Sequence, residues 1–107
     1  RLNVTGGTYS QITNIGAYSD GANGMGTGVE LYAKAVTTYA TPAEATATAG
    51  YTVFFSYVTG SRLSLGAGPF TSTGEKGDHL VMFCRIADTV SGGLTPSETL
   101  NIGWDEI

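Results

Sequence analysis

Basic side chains are scarce. Arg1, Lys34, Arg62, Lys76 and Arg85 are the only five, against nine acids, and the net charge is −4. No two of the five are adjacent in sequence. Nucleic-acid binding driven by phosphate contacts needs a clustered basic patch, and the material for one is missing. Attraction to an anionic membrane surface fails on the same ground. No apolar run approaches the roughly 20 residues of a membrane-spanning helix, so membrane insertion is not expected.

Cysteine and histidine each occur once, which limits the chemistry further. With Cys84 alone, no internal disulfide can form. Cys84 is in phase with Leu80, Met82 and Ile86, a pattern that predicts a buried thiol packed as a small hydrophobe. His79 stands at odd spacing from Cys84, so on a strand the two point to opposite faces and cannot form a nucleophile–base pair. One Cys and one His do not make a zinc site. The serine-nucleophile elbow G-x-S-x-G is absent. Glu75 with Asp78, and Asp105 with Glu106, stand in turn-like or terminal segments where solvated charge is the ordinary reading. Asp20 and Asn23 lack the alternation of a calcium loop, and the glycines from Gly21 to Gly28 lack the lysine of a phosphate loop. The expectation is therefore a non-enzyme with no cofactor and no metal.

What the chain does have is glycine, threonine and apolar residues in short alternating runs. There are 16 glycines; hydrophobic residues reach 41% while charged ones are only 13%. A packed core is possible, and the surface must be Thr, Ser, Gly and Asn rather than Lys and Glu. Residues 29–38 alternate, with Val29, Leu31, Ala33 and Ala35 on one face and Glu30, Tyr32, Lys34 and Val36 on the other. Residues 51–58 hold four aromatics and two valines between Gly50 and Gly60, apolar on both sides, and read as a central strand. Residues 79–87 read as a second core strand with Leu80, Met82, Cys84 and Ile86 inward. Shorter strands are predicted over 8–13, 61–65 and 98–104. Residues 14–28, with two Asp-Gly or Asn-Gly turn dipeptides, read as a long loop or an arm that orders against a neighbour. Residues 41–49 carry a helix-start signature in Thr41, Pro42 and Glu44. The sum is an all-β single domain over residues 1–107. It is an antiparallel two-sheet sandwich, immunoglobulin-like or jelly-roll, of about seven short strands and at most one short helix.

Apolar bulk on both faces of two strands is more than a small domain hides alone. Residues 77–83 and 93–102 also resemble the strand–loop–strand pattern of sandwich domains in surface filaments and virion decoration proteins. The expectation is a structural subunit of an extracellular or viral assembly whose partners are copies of itself or a companion subunit. Phe54, Tyr32, Val81, Phe83 and Tyr18 are the candidate contacts. The alternative is a carbohydrate-binding module that stacks sugars on Tyr9, Tyr32 and Tyr39.

Overall fold

The computed structural model describes residues 1–39, 48–90 and 97–107. Six strands form in chain order: β1 (Ile12–Tyr18), β2 (Val29–Val36), β3 (Thr52–Val53), β4 (Leu63–Gly66), β5 (His79–Ile86) and β6 (Asn101–Glu106). They make two antiparallel three-stranded sheets, β4-β1-β6 and β3-β2-β5. A seventh extended segment around Asn3 bridges Lys76 beside the first sheet. The chain changes sheet at every connection except β2 to β3. This is the two-sheet sandwich that the alternation predicts. The short helix predicted from Thr41 falls mainly on residues 41–47, outside the described residues.

The β2–β5 pair shows why the pattern works. All eight residues of β2 are in register with β5, from Val29 opposite Ile86 to Val36 opposite His79. Paired residues share a face. Ala33, Ala35, Leu80 and Met82 therefore turn to the other sheet, while Tyr32, Lys34, Val81 and Phe83 turn away from it. Between the sheets lies a small cluster of Ile15, Ala17, Ala33, Phe54 and Leu65. Ala17 and Ala33 leave room at the centre, and the Phe54 ring fills it with no exposure at all. Burying a side chain of that size contributes about 1.5–3 kcal/mol.

Three expectations need correction. Residues 51–58 are not a central strand: only Thr52–Val53 pair, at a sheet edge, and Phe54–Ser56 then form a 3-10 turn. Val53 lies opposite Tyr32, on the outer face, so Phe54 as the next residue points inward. The turn closes as Tyr57 N–H donates to Phe54 O at 3.0 Å and Ser56 Oγ donates to Val53 O at 2.7 Å. Phe54 is therefore core, not a contact residue. Val81 is also buried, at 4% exposure.

Next, the glycine-rich region is not loop from residue 14. Strand β1 runs to Tyr18, with a bulge where Asn14 adopts φ 54° and the register slips. The remaining loop ties itself down. Asn23 Oδ1 accepts from Met25 N–H at 3.0 Å, and its Nδ2 donates to Gly26 O at 3.0 Å and Val29 O at 3.2 Å. Buried Ser19 bonds to Tyr57 O and accepts from Gly21 N–H. These Asx turns tie the loop to its own chain.

Finally, Cys84 is exposed. It is on the predicted inward side, opposite Leu31. Exposure rises along β5 because the strand outruns the core, and by Ile86 it reaches 66%.

Candidate interaction surfaces

Each outer sheet face carries an aromatic–cation arrangement, and their geometry decides which rings can meet a ligand. On the β3-β2-β5 face, Tyr32 and Phe83 are cross-strand partners stacked at 5.1 Å and 12°. Tyr51 meets Phe83 edge-on at 4.9 Å. Lys34 Nζ sits 4.7 Å over the Tyr51 ring, and the Arg85 guanidinium 5.7 Å over Tyr32. Arg85 pairs with Glu30 at 2.9 Å, and the Tyr32 hydroxyl donates to the same carboxylate at 3.1 Å. The rings spend their faces and edges on one another, and cations sit over Tyr51 and Tyr32 where a sugar would stack. Such a cluster stabilises its own sheet, each aromatic pair adding about 0.5–1.5 kcal/mol beyond burial.

On the β4-β1-β6 face, Arg62 lies across two glycines. Gly16 and Gly103 are a cross-strand pair. A Cβ on Gly16 would fall 2.6 Å from Arg62 Cβ, and one on Gly103 3.0 Å from its Cζ. The absence of those side chains lets Arg62 lie flat. From there Nη1 reaches Asn14 O at 3.4 Å and Asp105 at 3.8 Å, and the guanidinium caps Tyr18 at 5.6 Å. Asn14 Nδ2 donates to the other Asp105 oxygen at 2.8 Å. The ion pair is half-solvated, so its worth is small. The Arg62–Asp105 charges offset each other, and the polar hollow of about 330 Å³ above them carries no net pull on an ion.

The third feature is a groove of about 430 Å³ at the end of the first sheet. Its one wall is the segment from Leu2 to Tyr9; the other is Ile12, Ile15, Trp104 and Glu106. The segment is fixed by backbone pairing with the 74–77 turn: Val4 N–H donates to Glu75 O at 2.9 Å and Gly74 N–H to Val4 O at 2.7 Å. Gly7 gives the Tyr9 ring its seat, since a Cβ there would lie 2.5 Å from Tyr9 Cε1. Trp104 Nε1 donates to Glu106 Oε1 at 2.9 Å, which sets the indole.

The predicted site residues are thus dispersed. Tyr32 and Phe83 come together on one sheet, while Tyr18 lies on the outer face of the other. Tyr39, 73% exposed, follows β2 and meets His79 edge-on at 6.0 Å. His79 Nδ1 is buried with no hydrogen-bond partner among the described residues. Tyr9 stands in the groove. Tyr9, Tyr32 and Tyr39 form no common row. In the sequence Trp104 reads only as a partner of Ile102 on one strand face and Glu106 only as a solvated terminal carboxylate, because nothing local brings residue 9 to residue 104. No family model, no curated protein and no solved structure matches the chain.

Proposed function

We propose that the chain is a non-enzymatic structural subunit of an extracellular or virion assembly, acting through contacts with copies of itself or a companion subunit. The observation that carries this reading is where large apolar side chains meet water. Val58 (39%), which lies beside Gly21 of the 19–28 loop, Ile86 (66%) and Leu100 (52%) stand at one end of the sandwich. That end is defined by Tyr18 opposite Asn101 and Val29 opposite Ile86, with the 19–28 loop between them. The loop reaches both neighbours: Gly24 N–H donates to Glu98 Oε2, and Gly28 O accepts from Ala87 N–H. Covering what remains exposed of one such side chain contributes about 0.6–2 kcal/mol, a fraction of the value for full burial, so several per copy can hold an interface. The small core, two of whose five members are alanine, supports the same reading.

Light scattering across a concentration series tests it. The expected result is growth beyond the monomer mass, lost in an Ile86→Asp, Leu100→Asp variant that keeps its β-sheet circular dichroism. A monodisperse monomer at high concentration would end the proposal. The carbohydrate alternative draws no support from Tyr32, whose ring faces are taken. Its support lies in the groove beside Trp104.

A further inference from the structure

We propose that the groove between the N-terminal segment and β6 binds an uncharged sugar ring, stacked on Trp104 with Glu106 as hydroxyl acceptor. The inference stands independently of the assembly reading, because the groove is at the opposite end of β6 from Leu100.

Four observations combine. The volume of about 430 Å³ lies within the range of small-molecule sites. Trp104 is 46% exposed, and neither it nor Tyr9 enters a ring pair or cation contact among the described residues. This is the contrast with Tyr32. The bond from Trp104 Nε1 to Glu106 Oε1 biases the indole toward one orientation before a ligand arrives, which lowers the ordering cost of binding. Glu106 Oε2 accepts no hydrogen bond from a described side chain. The rim adds Asn3, Thr5 and Thr8.

These features select the ligand class. A sugar has an apolar C–H face and a ring of hydroxyls, which match an aromatic plane beside a carboxylate. Hydroxyl-to-carboxylate bonds are among the stronger hydrogen bonds. No Lys or Arg lines the groove, so a sulfated or phosphorylated ligand would meet the Glu106 charge without compensation. A purely aliphatic ligand would strip water from that carboxylate and return nothing.

Trp104 is the chain's single tryptophan, so its fluorescence reports the groove directly. The intact protein is titrated with neutral gluco-, xylo-, manno- and chito-oligosaccharides, and with sulfated counterparts. At least one neutral sugar gives a saturable emission change. By calorimetry, Trp104→Ala and Tyr9→Ala weaken its binding by on the order of tenfold or more, about 1.4 kcal/mol per decade. Trp104→Phe and the distant Tyr32→Ala keep it within a few-fold. No saturable change with any neutral sugar up to about 10 mM overturns the proposal. So does binding that survives Trp104→Ala, or a preference for the sulfated series. Light scattering of the same samples reads self-association separately, so either proposal can fail alone.

Discussion

Replacing Phe54 by alanine is the sharpest test of the packing. Its ring is fully buried between the sheets, held by the 3-10 turn, and faces Ala17 and Ala33, which cannot expand into the space it leaves. Phe-to-Ala changes at such sites cost about 3–5 kcal/mol, the larger values where the cavity cannot collapse. A domain of this length has a total stability of about 5–15 kcal/mol. One substitution should thus remove about a fifth or more of it and lower the melting temperature by roughly 12–40 °C. Phe55 is the internal control. It is the next residue, the same side chain, and only half-buried, so Phe55→Ala should cost less than half as much. Urea unfolding followed by Trp104 emission and circular dichroism measures both, with an unchanged slope showing that only stability moved. If Phe54→Ala costs under about 1 kcal/mol, or Phe55→Ala costs as much, the assignment of the inward face is wrong.

Further outcomes follow from the same geometry. A double-mutant cycle on Tyr32→Ala and Phe83→Ala should return a coupling of about 0.5–1.5 kcal/mol; zero coupling would mean the rings do not stack in solution. Gly77→Ala would place a Cβ 2.5 Å from the Leu65 carbonyl oxygen, which backbone cannot yield cheaply, so a loss of about 1–3 kcal/mol is expected. Gly60→Ala, with nothing within 4 Å, should leave the urea midpoint nearly unmoved. Cys84 should react with a thiol reagent in the native protein as fast as after unfolding; protection of the native thiol would contradict its exposed position on β5.

How much of this was legible in the residues depends on what each feature requires. Residues 29–36 alternate with one polar and one apolar side, and the strand forms where the pattern puts it. Residues 51–58 are apolar at both parities, so alternation cannot say which side is inward. That choice belongs to the opposite sheet, and it selected Phe54. The side of Cys84 was readable but not its burial, because period-2 pattern carries no information about how far the facing sheet extends. Asn14 and Gly16 look like turn residues. In fact Asn14 takes φ 54° in a bulge and Gly16 makes way for Arg62, so both belong to a strand for reasons that only long-range neighbours reveal. The groove is of that kind as well: Tyr9 is legible as an aromatic in a polar run, but Trp104 joins the same groove from a distant part of the sequence.

That β1 is flanked by β4 and β6 has a kinetic consequence. Strand β1 cannot complete its hydrogen bonding until β6 has been synthesised, so most of the sandwich between them must wait unfinished. Loop closure over such separations slows folding. During that interval the Ile12–Tyr18 edge is open to strands of other nascent copies. Crowded synthesis should therefore favour exchange of β6 between neighbouring chains.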